Sequence, residues 1–332
     1  MLCAKLANYA QSINELKTKS EECRAALLAE KTKSCRLEAL VAELKGQNLK
    51  YKDFDTDKYK QIGHKLLVRD LPHATIEHAA QQQALLPGYS RDYNAINAHS
   101  RDKLLSFDES EHKYTVGGIE LKSVTTLVDE SFPPFDAKRI AHILSKQTGR
   151  SEESFMREWD LKGRQSRDLG TVMHANIEKF YLGEPCEIKD VFIQFLNFTQ
   201  ETKLIPYRTE WAIYDEEMGI AGTLDFLDYQ NGEYTIYDWK RSKNIVTKTG
   251  KKILKSKSGT NGYSPISSVE DASYWHYALQ TSIYRYILER NYGINVSSSR
   301  LVVMHPEINK AFVVDVPYMQ KEVIAILNKN KH

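Results

Sequence analysis

The apolar positions of the chain change period several times, and each change marks a different kind of element. Over the first fifty residues they recur every three or four positions. Leu6, Ile13, Leu27 and Val41 fall at one heptad position, and Leu2, Tyr9, Leu16, Cys23, Leu37 and Leu44 at the other. The segment has no proline and reaches its first glycine at Gly46, so the pattern predicts one long helix over residues 1–50. Ser20, Glu30 and Ser34 interrupt the seam. Two readings stay open: a coiled coil for self-association or for docking a protein partner, or an amphipathic helix laid on its own domain. From 51 to 100 the period is lost, and Pro72 and a Pro87-Gly88 turn suggest a connecting region with short helices.

From residue 101 to 332 the pattern reads as one domain. His112–Val116, a Gly117-Gly118 turn and Ile119–Leu127 form an expected hairpin, stopped by Pro133-Pro134. Helical spacing begins at Asp136 and continues through Ile140, Ile143, Leu144, Val172, Ile177 and Phe180. A second hairpin follows at 222–240, then a helix over Ala272–Glu289 and a short buried strand over Leu301–His305. This order predicts an α/β fold with a mixed central sheet flanked by helices and preceded by the long N-terminal helix.

The second hairpin carries the candidate chemistry. Its arms are joined by Asn231-Gly232, a pair suited to the two positive-φ positions of a type I′ turn. A two-residue turn pairs Gln230 with Glu233, and counting outward sets Asp225 opposite Asp238, with Lys240 on the same face. Like charges opposed across a sheet repel unless a cation lies between them. Read alone, the hairpin could equally present a solvated strand face. Paired carboxylates beside a lysine also suit phosphodiester hydrolysis, with Mg²⁺ or Mn²⁺ held by hard oxygens. The lysine would then orient or deprotonate water, or stabilise charge on the phosphate.

Composition narrows the setting. The formal net charge of +2 favours no partner class, so charge has to be read by segment. Arg241, Lys243, Lys248, Lys251, Lys252, Lys255 and Lys257 follow Lys240 with no acid before Glu270, and a basic loop beside such a site suits phosphate binding. No apolar run nears the roughly 20 residues of a membrane span, and the N-terminus lacks the apolar stretch of a secretory signal. Cys3, Cys23, Cys35 and Cys186 form no CxxC pair. An intracellular, reduced protein with no membrane association is expected.

Four stretches, taken in order, resemble the motifs of RecB-like nucleases in the PD-(D/E)xK superfamily. Gly170-Thr-Val-Met-His174 is similar to the first motif and Gly222-Thr-Leu-Asp225 to the second. Tyr237-Asp238-Trp239-Lys240 is similar to the third, and Gln280-Thr-Ser-Ile-Tyr284 to the QxxxY helix motif. Ser123-Val124-Thr125 also resembles the opening of mitochondrial genome maintenance exonucleases and their viral relatives. The resemblance spans about residues 105 to 310 and implies a restriction-endonuclease-like core.

It further implies that His174, Asp225, Asp238 and the backbone carbonyl of Trp239 coordinate the divalent cation. Lys240 would be the catalytic lysine, and Gln280 and Tyr284 would border the active site. Glu178, one turn after His174, is expected to hold the imidazole or an outer water. Glu210, on a strand before the hairpin, is a second outer-shell candidate that could also face the metal. Many RecB-like nucleases carry an iron-sulfur cluster on four cysteines, three of them late in the chain; no cysteine follows Cys186, so no cluster is expected. The expected function is a metal-dependent DNA nuclease, foremost an exonuclease of replication, recombination or repair acting on single- or double-stranded DNA. An endonuclease, or a nucleic-acid-binding assembly protein using the nuclease fold as a platform, are the alternatives.

Overall fold

The computed structural model describes residues 92–109, 111–184, 186–187 and 190–331. The long helix expected over 1–50, and the connecting region as far as residue 91, lie outside the described residues. The last part of that region holds a short helix, α1 (Tyr93–Ile96), and a 3-10 turn (Ser100–Lys103). Both adjoin strand β4 (Pro206–Asp215). Asn94 exchanges two 3.0 Å hydrogen bonds with the backbone of Thr209, and Asn97 donates to the Tyr207 carbonyl at 2.8 Å.

The first expected hairpin forms from β2 (Lys113–Val116) and β3 (Ile119–Ser123), with β1 (Leu105–Asp108) paired to β2. The strand ends earlier than its apolar run suggested. Ser123 Oγ accepts from Thr126 N at 3.0 Å, and this cap starts helix α2 (Val124–Asp129) where continued strand was expected. Val124, Leu127 and Val128 then meet the core on one helical face. The helical region from Asp136 is two helices, α3 (Ala137–Thr148) and α4 (Glu152–Leu182). Gly149 separates them in the left-handed conformation, at φ 74°. Ser151 caps the start of α4.

After α5 (Phe192–Glu201) come β4, β5 (Ile220–Gln230) and β6 (Glu233–Arg241), then α6 (Ser273–Asn291), β7 (Val296–Met304), β8 (Phe312–Val316) and α7 (Gln320–Asn330). The eight strands form one mixed sheet in the order β1-β2-β3-β5-β6-β7-β8, with β4 paired to β5 off that path. Helix α6 lies on one face over Leu224, Leu227, Ile236, Leu301 and Val303. On the other face α4 and α5 cover Phe226, Tyr237, Trp239, Val302 and Met304. Each face removes a continuous apolar surface from water, and that burial is the main force holding the layers together.

Strand β5 is where the sheet forks. One of its edges pairs with β4 from Ile220 to Asp228. The other edge is shared: β3 pairs in parallel with Ile220 and Ala221, and β6 pairs antiparallel with Phe226 to Gln230. Between them, over Gly222–Asp225, that edge has no ladder partner. The fork leaves a notch through the sheet.

Candidate metal centre

The Asn231-Gly232 turn has the positive φ values expected of it, 55° and 85°, and the register runs as counted from Gln230↔Glu233 to Phe226↔Tyr237. There the ladder stops. Asp225 and Asp238, next in line, do not form a regular pair. Asp225 Oδ2 instead accepts from Trp239 N at 2.8 Å, taking the place of a strand carbonyl. The face-to-face arrangement read from the turn is therefore altered: Asp225 turns inward along the notch, and strand β6 diverges beyond it.

The distortion extends to β4. Thr209↔Phe226 and Trp211↔Leu224 are regular pairs, and Glu210 lies between them opposite Asp225, at a strained φ of +42°. On β5, Leu224 and Leu227 both enter the core under α6 while Phe226 enters the core under α4. The alternation of sides thus slips by one residue around Asp225. Regular strands could not present an acid from each of β4, β5 and β6 to one notch without opposing like charges along a closed row.

Because the notch passes through the sheet, helices on both faces reach it. Met173 and Ile177 anchor α4 in the core against Trp239, which aims His174 between them at the strand ends. His174 Nε2 lies 3.0 Å from the Trp239 carbonyl, and His174 Nδ1 lies 3.4 Å from Glu210 Oε1 and 3.7 Å from Asp225 Oδ1. With Nε2–H donating to the carbonyl, Nδ1 faces the two carboxylates and carries the proton it shares with Glu210 in the metal-free protein; release of that proton frees its lone pair for a cation. His174, Glu210 and Asp225 each offer a ligand atom, all within 4.8 Å of one another, so these three residues could hold a metal ion. The Trp239 carbonyl, expected to face the metal, accepts from the imidazole.

Asp238 lies beside this group and is only 1% exposed. Its counter-charge is Lys240, with Nζ 2.7 Å from Asp238 Oδ2. Lys240 also lies 4.7 Å over the ring centroid of Tyr277 on α6. Burial pushes the Asp238 carboxyl up to about 7; Lys240 opposes that shift and Asp225 adds to it. Burial also raises Asp225. For Lys240 and His174 burial favours the neutral form, but the surrounding acids prevail. Asp238 and Asp225 raise Lys240, and Asp225 and Glu210 raise His174 to about 9. The imidazole and the two carboxylates gathered at the notch are a donor set of nitrogen and oxygen type that could hold a cation.

Gln280 and Tyr284 line the α6 side. Gln280 Nε2 donates to Tyr284 Oη at 3.0 Å, and burial together with Asp225 holds the phenol well above its usual range. The ring of Tyr284 fits against Gly222, where an added Cβ would fall 2.8 Å from Tyr284 Cε1 and 3.2 Å from Val124 Cβ. The close approach of helix to strand requires glycine at this position.

Other expected residues stand elsewhere. Glu178 has Glu184 and Lys179 as its charged neighbours, and the imidazole of His174 takes Glu210 in its place. Arg241 forms a two-pronged, largely buried pair with Asp190. Lys243 pairs with Glu307, Lys255 with Glu270, Lys252 donates to the Asp315 carbonyl, and Lys257 donates to Asn244. Lys248 and Lys251 are exposed and without an ion pair among the described residues. The basic loop is pinned by buried Ile245, Val246, Ile266 and Val269. Tyr277 was not anticipated; its position three residues before Gln280 on one helical face is the signal that could have found it. Asp190 carries no sequence signal.

No family model matches the chain, and no curated protein matches it. Among solved structures it is similar to one described as the crystal structure of SSO0001, at 15% identity, over 63% of this chain and 73% of that chain, with a TM-score of 0.28. Among the described residues, no helix is long and apolar enough to cross a membrane.

Proposed function

We propose that the chain is a Mg²⁺- or Mn²⁺-dependent DNA nuclease with a restriction-endonuclease-like core, foremost an exonuclease of replication, recombination or repair. The observation that carries this reading is the convergence of His174, Glu210 and Asp225 with buried Asp238 and Lys240 at one notch. The order of the sequence motifs supports it independently. A divalent cation held there supplies Lewis-acid polarisation of the phosphodiester and a lower pKa for the attacking water.

The chain's own groups divide the remaining work. Lys240, kept protonated by Asp238 and Asp225, suits stabilising negative charge that develops on the phosphate rather than accepting a proton. The Trp239 carbonyl fixes the ring of His174, so that Nδ1 stays turned toward Glu210 and Asp225. Exposed Lys248 and Lys251 offer charge to the nucleic-acid backbone.

The test uses purified full chain with end-labelled single- and double-stranded DNA and closed circles, in Mg²⁺, Mn²⁺ or chelator. Cation-dependent loss of linear substrate, sparing circles and abolished by Asp225→Asn and Lys240→Ala, is expected. Cutting of circles would replace the exonuclease reading by an endonuclease one. Absence of cleavage with every cation, or cleavage unaffected by both substitutions, would overturn the proposal.

A further inference from the structure

A second cluster of titratable groups lies in the cleft between α2 and α6, apart from the metal donors. Its centre is His276, in the first turn of α6. The imidazole stacks on buried Phe132, with ring centroids 3.8 Å apart and planes 20° from parallel. Its Nε2–H donates to Asp271 Oδ1 at 2.9 Å, and Asp271 Oδ2 accepts from Thr260 Oγ1 at 2.7 Å. One face and one nitrogen are thereby fixed, so the 24% of the side chain that water reaches belongs to the other face and the far edge. Asp129, at the end of α2, has an exposed carboxylate with His276 as its charged neighbour, and that carboxylate takes no hydrogen bond among the described residues. Thr125 and Asp129 lie one turn apart on α2, as His276 and Gln280 do on α6, and Gln280 Nε2 reaches Thr125 Oγ1 at 3.4 Å. Tyr277, whose ring meets Lys240, also has Asp129 as a charged neighbour, so the cleft opens beside the notch.

We propose that the α2–α6 cleft receives one nucleobase of a single strand, stacked on the open face of His276, with Asp129 accepting from its amino group. The chemistry selects a base over a phosphate. An exposed carboxylate repels phosphate oxygens and accepts N–H groups, and cytosine, adenine and guanine carry an amino group that thymine lacks. An imidazole already stacked on Phe132 and tied to Asp271 loses little freedom when a third ring joins the stack. A tie between α6 and the 255–271 loop would account for the Asp271 bond and the Phe132 stack. It would not account for an exposed carboxylate set beside the open ring. The pair thus makes the cleft selective for an amino-bearing base next to the nucleotide at the notch.

The inference rests on the nucleic-acid part of the proposed function and not on cleavage. Full chain in chelator is mixed with single-stranded oligonucleotides carrying 2-aminopurine at each position in turn, and its fluorescence reads stacking. Anisotropy of an end dye reads affinity and its salt dependence. Quenching at one position is expected, kept in His276→Phe, which retains a flat ring, and lost in His276→Ala. The alanine variant should bind about tenfold more weakly with an unchanged salt slope. At the quenched position the wild type should favour cytosine over thymine several-fold, and Asp129→Ala should abolish that preference. Circular dichroism confirms the fold; should His276→Ala not fold, His276→Leu replaces it. Quenching that is uniform along the strand or unchanged in the folded variant, a cytosine preference that is absent or survives Asp129→Ala, or binding of duplex alone overturns the inference and leaves the nuclease reading standing. No binding to any DNA overturns both.

Discussion

The carboxylate of Asp225 accepts a hydrogen bond from the backbone N–H of Trp239 at 2.8 Å, one row past the last regular strand pair. A side chain thus supplies what a strand carbonyl would otherwise supply, while its second oxygen remains turned to His174. The two tasks separate by substitution. Asp225→Asn keeps an acceptor for Trp239 and should unfold within a few degrees of the wild type, yet bind Mn²⁺ at least tenfold more weakly. Asp225→Ala strands the buried N–H and should lose about 1–3 kcal/mol of stability as well. Thermal unfolding and calorimetric titration read the two effects apart.

Gly222 faces the ring of Tyr284 at a distance that admits no side chain. Gly222→Ala should destabilise by about 1–3 kcal/mol through overpacking and displace the Tyr284 ring from its place beside Gln280. Chemical denaturation measures the first effect. A lowered Mn²⁺ affinity is not expected, because the glycine touches none of the three donors.

Acidity at the notch gives the metal-free protein an unusual pH profile. His174 rises from 6.5 to about 9 on folding and Asp238 from 3.8 to about 7, so in both cases the folded chain binds the proton more tightly. Their stabilising contributions are complete below the unfolded values and are lost as pH rises through the folded ones. Melting temperature in chelator should therefore fall between pH 5 and pH 9. Saturating Mn²⁺ should reverse that slope, since the cation replaces the proton at His174. An unchanged melting temperature across the range would contradict the arrangement of charges.

Within the basic loop, stability and phosphate affinity should come from different residues. Arg241→Ala leaves Asp190 buried without its partner and should cost about 3–5 kcal/mol. Lys248→Ala and Lys251→Ala should leave unfolding unchanged and weaken DNA binding for all sequences alike. Each should lower the salt slope of log K by about one. Fluorescence anisotropy over a range of salt concentrations tests this.

Much of the architecture was legible in periodicity and turn chemistry, because those signals are local. The Asn231-Gly232 turn set the register of five strand pairs, and the aromatic and aliphatic positions of β6 sorted onto two faces as alternation requires. The end of β3 was misjudged for a local reason as well: Val124, Thr125 and Thr126 favour strands, but the hydroxyl of Ser123 captures an amide and turns the chain into helix. Legibility failed where the decisive partner is distant in sequence. The splitting of the β5 edge between β3 and β6, the left-handed backbone at Glu210, and the capture of Arg241 by Asp190 depend on contacts that no window of the sequence contains. Asp225 and Lys240 could be named from the hairpin alone. How their charges are shared could not, because His174, Glu210 and Tyr277 arrive from three other elements.

The forked sheet has a consequence for how the molecule opens. The β1-β2-β3 side is joined to β5 by two parallel pairs only, at Lys122 and Ser123, whereas the β6-β7-β8 side is laced to it over five rows. Native-state amide exchange should accordingly be graded, fastest in β1 to β3 and slowest along β5 and β6, with an intermediate opening in which the three short strands detach. Gly222 to Asp225 border that seam, so occupation of the centre by a cation should slow exchange on both sides of it. The notch that lets two helix layers meet is also where the sheet comes apart first.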